Sequence, residues 1–341
     1  MVPFRFAQGD IAGSCASPLS AVTSLDMTPP SDRSLPRRDL VRGAAVAAAA
    51  LVLRVPLTAC GQAPPRAEIP PDPDRVRLAD WTAALRADGL AGPSSPLGRA
   101  AARVGELAAG TPYVAHTLEA YLAGSGRPVE PEPLTLSLTR FDCVTLVEAC
   151  LAVGRAAEGT AEPTWKRFGR EIERMRYRGG ERQGYASRLH YFSEWIADGE
   201  RRGLVRDLGA ELGGVEDTRP LRFMTEHRAS YAALADDAEY GKVESIERGL
   251  DGRPRRVVPT ERIPEIADRL ESGDVLAFAT AIPGLDVTHA AFAYRDAQGT
   301  LRVLHAPLSG GVVEVTRTTL PAYVAAIRRS TGILVARPLR A

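Results

Sequence analysis

Val287-Thr288-His289-Ala290-Ala291-Phe292-Ala293-Tyr294 and Leu301-Arg302-Val303-Leu304-His305-Ala306 flank a short polar stretch containing Asp296-Ala297-Gln298-Gly299. Two apolar runs of this length, joined by a turn that ends in glycine, predict a hairpin of antiparallel strands. A loop of five residues, Arg295–Gly299, sets His289 opposite His305, with Cβ atoms ~4.5–5.5 Å apart. A slip of one residue would send the two imidazoles to opposite faces of the sheet.

The β period extends outward from this hairpin. Val275–Thr280 and Val312–Val315 read as further strands of a meander, Pro321–Ser330 as a terminal helix and Ile333–Pro338 as a last strand. Upstream the period becomes helical. Stretches near 77–87, 96–109, Phe141–Val153, Pro163–Tyr177 and Ser187–Arg201 are the expected helices, the third of them stopped by Gly154. Residues 204–262 read as irregular, with strand-like pieces at Leu204–Leu208 and Arg255–Val258. Helices first and consecutive strands later indicate an α+β fold rather than alternating α/β.

Composition narrows the function. The chain has 341 residues, 45% of them hydrophobic and 25% charged, which suits a folded domain and excludes intrinsic disorder. Its 43 basic and 42 acidic residues leave a net charge of +1, so nothing argues for a nucleic-acid partner. Four cysteines in a chain of this length do not make a disulfide scaffold.

Residues 1–60 read as an export signal. Arg37-Arg38 precede an apolar run, Gly43–Leu53, that is interrupted by Arg54 and falls short of the ~18–20 residues needed to span a bilayer. The paired arginines resemble a twin-arginine signal, with Met27 as a possible start, and Leu57-Thr58-Ala59-Cys60 resembles a lipoprotein box that would acylate Cys60. The expectation is an exported protein of the cell envelope or periplasm, held to a membrane by lipid. Pro64, Pro65, Pro70, Pro71 and Pro73 mark residues 61–75 as an extended tether, which leaves 76–341 as one domain. In that domain Cys143 and Cys150 lie seven residues apart on one expected helix, ~10.5 Å between Cα atoms and too far for a disulfide.

An unpaired thiol in an exported protein invites a chemical reading. Cys143 follows Asp142 at the expected helix start, where the positive end of the helix dipole should lower its pKa. His289 would activate the thiol, and His305, as a neutral ring accepting a proton from His289, would orient that imidazole. Cys150 reads as a core residue. Tyr113, in Gly110-Thr111-Pro112-Tyr113, could donate to an oxyanion. The run Tyr185-Ala186-Ser187-Arg188-Leu189-His190-Tyr191-Phe192-Ser193-Glu194-Trp195 mixes aromatic and polar groups of the kind that bind sugars and peptides, although Leu189, Phe192 and Ile196 have core spacing. Tyr185, Ser187, Arg188 and His190, together with Asp286, are the expected substrate-binding residues.

Gly110–Tyr113, Arg-Phe-Asp-Cys-Val-Thr-Leu-Val-Glu (140–148), Ser-Gly-Asp-Val-Leu (272–276), Val-Thr-His-Ala (287–290) and Leu-His-Ala (304–306) occur in the order seen in NlpC-type cell-wall cysteine peptidases. The Phe-Asp-Cys-Val-Thr and Tyr185–Trp195 runs resemble one branch, the N-acetylmuramoyl-L-alanine amidase-like family, over roughly residues 95–340. The resemblance implies a papain-like core with the cysteine helix packed on an antiparallel sheet. It also implies hydrolysis of the amide joining N-acetylmuramic acid, or its anhydro form, to the L-alanine of a peptidoglycan stem peptide. Cys143 is then the nucleophile, His289 the base, His305 the orienting residue, and Tyr113 with the Cys143 N–H the oxyanion donors; no metal or cofactor is expected. His116 departs from the pattern, standing where the wider superfamily has glycine. Rival readings are a γ-D-Glu–diaminopimelate endopeptidase on the same fold, a zinc hydrolase using Cys143, His289 and His305, and a non-catalytic murein-binding lipoprotein.

Overall fold

The computed structural model describes residues 72–159, 161–308 and 311–340. The expected signal segment and Cys60 lie outside the described residues. Residues 73–75, expected in the tether, are instead the first turn of α1 (Pro73–Ala87), because Asp72 accepts the Asp74 N–H and Pro73 fits the first helical position. There follow α2 (Leu97–Leu107), α3 (Ala120–Ser125), α4 (Cys143–Ala156), α5 (Trp165–Arg176) and α6 (Phe192–Arg201). The middle of the chain contributes β1 (Val205–Asp207), β2 (Val215–Asp217), α7 (Phe223–Glu226), α8 (Asp237–Gly249), β3 (Arg255–Pro259) and α9 (Ile263–Ile266). The last third holds β4 (Val275–Thr280), β5 (Val287–Arg295), β6 (Leu301–His305), β7 (Glu314–Val315), α10 (Leu320–Ala325) and β8 (Ser330–Pro338).

The fold is α+β. Its strands form one antiparallel sheet in the order β2-β3-β8-β4-β5-β6-β7, with β1 also paired to β8. The meander β4–β7 follows chain order, but β8 returns to pair with β4 and leaves β7 at the edge. β4 is therefore interior. Its side chains alternate between faces: Val275, Ala277 and Ala279 pack with Leu97, Leu146, Val147 and Phe168, while Leu276 and Phe278 pack with Ile263, Leu320 and Val324. Helices cover both faces, and every residue of β4 is buried.

Two glycines explain local closeness. Gly273 has φ +90°, and a Cβ there would sit 1.8 Å from the Gly98 carbonyl oxygen, so α2 meets the start of β4 only because neither residue carries a side chain. Gly154 does not stop α4 as expected. The helix runs on to Ala156, with Gly154 against Leu97, where a Cβ would meet Leu97 Cδ1 at 2.8 Å.

The expected helix over Ser187–Arg201 is shorter. Tyr185–Ser187 form a 3₁₀ turn, and α6 starts only at Phe192. The expectation that 204–262 is irregular is also corrected by the thirteen residues of α8. Asp236 caps that helix by accepting the Ala238 and Glu239 N–H groups. Its buried face includes Glu239 and Glu247 beside Val243, so it carries no apolar stripe to betray it. The segment is a packed wall with a core of its own, in which Phe223, Met224, Leu234 and Val243 join Tyr185 and Tyr191.

Candidate active site

Asp142 decides where α4 starts. Its carboxylate accepts the Val144 N–H at 3.0 Å and the Thr145 N–H at 2.8 Å, and the Thr145 hydroxyl accepts the Asp142 N–H at 2.8 Å. This reciprocal capping box makes Cys143 the first helical residue. The backbone N–H groups of Val144 and of Ala290 on β5 lie close enough to the Cys143 thiol to favour its charged form. The Ala290 contact brings the cysteine to β5, next to residue 289. Deeper in α4, Glu148 pairs with Arg176 of α5 at 2.7 Å, both buried, which anchors the helix that presents the thiol.

β5 and β6 pair as Phe292↔Leu304, Ala293↔Val303, Tyr294↔Arg302 and Arg295↔Leu301. The loop is therefore 296–300, one residue later than expected. Asp296 fixes it: its N–H bonds to the Thr300 carbonyl, and its carboxylate accepts the Gln298 and Thr300 N–H groups. His289 and His305 are consequently not direct cross-strand partners. The register moves by two residues, which preserves the face and leaves the histidines as diagonal neighbours within side-chain reach. His289 Nε2 lies 2.8 Å from His305 Nδ1.

Burial dominates the electrostatics. The expectation of a lowered Cys143 pKa is corrected: desolvation pushes the thiol up, the Asp142 carboxylate adds to the rise, and the nearby backbone N–H groups only offset part of it. Burial, and then the neighbouring His305, hold His289 well below its ordinary value. Burial alone brings His305 down to about 4. Burial thus disfavours the charged form of the thiol and of both imidazoles. Cys150 is fully buried, and burial raises its thiol as well.

Tyr113 borders the thiol. Burial raises its hydroxyl, and Cys143 and Asp142 raise it further, which places it within their electrostatic reach. Its N–H bonds to the Gly311 carbonyl at 2.7 Å, and its strand bridge to Phe141 ties the loop to the start of α4. His116 is exposed and left-handed, with φ +60°, a conformation that favours glycine.

The aromatic run is mostly interior. Tyr185 packs against His190 at a tilt, ring centres 4.6 Å apart, and the Arg188 guanidinium lies over the Tyr185 ring. Arg188 also pairs with Glu119 at 2.7 Å and with Glu132 at 3.6 Å. His190 Nε2 lies 3.0 Å from the Tyr185 carbonyl. Ser187 is the partly exposed member, its hydroxyl donating to the Gly184 carbonyl. Asp286 is buried and occupied by scaffold, accepting the Ser193 N–H at the start of α6 and the Val287 N–H, each at 2.8 Å. The first of these bonds makes Asp286 a cap for the start of α6. The structure also brings in three residues that sequence reading missed. Phe278, the register partner of His289, stacks on its ring at 5.7 Å. The Tyr323 hydroxyl is 3.4 Å from His305 Nδ1, and Glu314 Oε1 is 3.8 Å from His305 Nε2. Alternation along β4 could have pointed to Phe278, but nothing in the sequence marks Tyr323.

This α+β scaffold, with Cys143 at a helix start and the His289–His305 pair on adjacent strands, is matched by a family of amide-bond hydrolases. The chain belongs to the N-acetylmuramoyl-L-alanine amidase-like family, whose model matches residues 103–333. It is 31% identical to an N-acetylmuramoyl-L-alanine amidase from Bacteroides uniformis, with a TM-score of 0.64 over 72% of this chain and 99% of that one. A solved structure from Bacteroides fragilis is 32% identical, with a TM-score of 0.63 over 69% and 99% of the two chains. A Legionella pneumophila protein, 16% identical with a TM-score of 0.56 over 78% and 94%, shares the fold. A search of curated proteins gave no match. Among the described residues no group of three or more His, Cys, Asp or Glu is placed to hold a metal ion, and no helix is long and apolar enough to cross a membrane.

Proposed function

We propose that the chain is a papain-like cysteine amidase that cleaves the amide between N-acetylmuramic acid, or its anhydro form, and the L-alanine of the stem peptide. The observation that carries this reading is a thiol at the capped start of α4, near the backbone of Ala290 on the strand whose His289 is bonded to His305 at 2.8 Å. His289 Nε2 is engaged with His305, so its Nδ1 is the nitrogen for base work. Nδ1 removes the thiol proton as sulfur attacks the lactyl carbonyl carbon. The Cys143 N–H and the Tyr113 hydroxyl stabilise the oxyanion. The protonated His289 then gives its proton to the alanine nitrogen, the C–N bond breaks and a thioester remains. Water, deprotonated by His289, attacks the thioester, and the C–S bond breaks with return of the proton to sulfur. With the free thiol held up and the imidazole held down, proton transfer accompanies attack instead of preceding it.

Val114 and Leu308, exposed in the chain segments that carry Tyr113 and His305, are the apolar groups offered to the muramyl lactyl group. Ser187 reaches the ligand directly, while Tyr185, Arg188, His190 and Asp286 hold the wall behind it. The test is digestion of purified muropeptides followed by mass analysis. Free disaccharide and intact stem peptide are expected from the wild type and none from Cys143→Ala, whose urea midpoint should stay near wild type. A disaccharide-dipeptide product would move the scissile bond to γ-D-Glu–diaminopimelate. Chelator-sensitive turnover by Cys143→Ala would overturn the cysteine mechanism. Export and acylation at Cys60 complete the proposal: fatty-acid label should enter the wild-type chain in cells, and label in Cys60→Ala would refute that anchor.

A further inference from the structure

The histidine pair poses a question of proton placement. Two neutral imidazoles share a single N–H···N bond between His289 Nε2 and His305 Nδ1, and either ring could be the donor. Only one arrangement works. If His289 donates from Nε2, its Nδ1 carries a lone pair and can accept the thiol proton. If His305 donates from Nδ1, the His289 proton moves to Nδ1 and the base is blocked. The Tyr323 hydroxyl, 3.4 Å from His305 Nδ1, favours the productive arrangement only weakly at that distance.

We infer that Glu314 is a positioning residue that selects the productive tautomer through His305. His305 Nε2 is buried and makes no hydrogen bond among the described residues. The charged atom facing it is Glu314 Oε1, at 3.8 Å. Glu314 is the direct cross-strand partner of His305 in the β6–β7 pairing, so the backbone itself sets this juxtaposition. A carboxylate there favours a proton on Nε2, which leaves His305 Nδ1 as acceptor and turns the His289 proton onto Nε2. The gap is longer than a direct hydrogen bond, and the Glu314 side chain, 48% exposed, is free to close it by a change of rotamer. This inference rests on the proposed cysteine mechanism for its consequence in catalysis, but not for the tautomer itself.

The experiment labels the ring nitrogens of histidine with ¹⁵N in the full chain and reads both tautomers by long-range proton–nitrogen correlation. Wild type should show Nε2–H on His289 and on His305. Glu314→Ala should show mixed tautomers, and its kcat on muramyl peptide should fall roughly 10- to 100-fold with little change in KM. Glu314→Gln, whose amide oxygen still accepts an N–H, should restore both the tautomers and most of the rate. Wild-type tautomers persisting in Glu314→Ala, or a Gln variant no better than Ala, would overturn the inference. The spectra need no substrate, so failure of wild type to cleave muramyl peptide would fall on the proposed reaction alone.

Discussion

At the scale of single residues, burial and backbone contacts set the chemistry more than residue type does. Cys143 and Cys150 share one helix, and burial raises both thiols. Only Cys143 stands at the helix start and meets the Ala290 N–H, which separates a candidate nucleophile from a core residue. His305 carries a stability consequence. Its folded pKa of about 4 lies below the ordinary 6.5, so as pH falls the unfolded chain takes up a proton first. The stability this residue contributes is full above pH 6.5 and is lost as pH drops toward 4, about 3 kcal/mol in all. Urea denaturation at pH 7 and pH 4 should show a smaller loss for His305→Asn than for wild type; equal losses would contradict the assignment.

At the scale of elements, the start of α4 is the part that must not move. The Asp142 carboxylate holds two N–H groups of the first turn and Thr145 returns the bond, so one side chain sets the depth at which the thiol sits. Asp142→Ala should lose about 1–2 kcal/mol of stability and a larger share of activity. Asp142→Asn keeps a capping oxygen and should recover most of the stability. Parallel thermal melts and turnover assays check both, and an Ala variant as active as wild type would mean the cap does not position the thiol. The hairpin teaches a related lesson. Its strands and shared face were legible in the alternation of β5 and β6, but the loop position was not. The Asp296 side chain closes the turn one residue later than composition suggests, and that single residue turns a facing pair into a diagonal one.

At the scale of the whole molecule, residues 221–250 and the 185–191 run form one packed body through buried carboxylates. Glu247 accepts the Tyr191 hydroxyl at 2.6 Å and the Met224 N–H at 3.2 Å, and it also bonds Thr225. Glu247→Ala strands these donors and should cost about 2–4 kcal/mol, with faster amide exchange in 185–191; unchanged exchange there would mean the wall stands without it. α8 escaped sequence reading for this reason, since pattern analysis looks for apolar stripes and this helix is held by polar groups that find partners only after the chain has folded. The sequence alone established the α+β order of elements, the cysteine at a helix start and the two histidines on neighbouring strands, because period, capping chemistry and turn residues act over a few positions and can be read locally. Three-dimensional packing decided that β8 returns beside β4, that the histidines meet diagonally, and that burial pushes the thiol's pKa up. Those outcomes depend on which surfaces exclude water from one another, and that is a property of distant segments brought together rather than of any stretch read by itself.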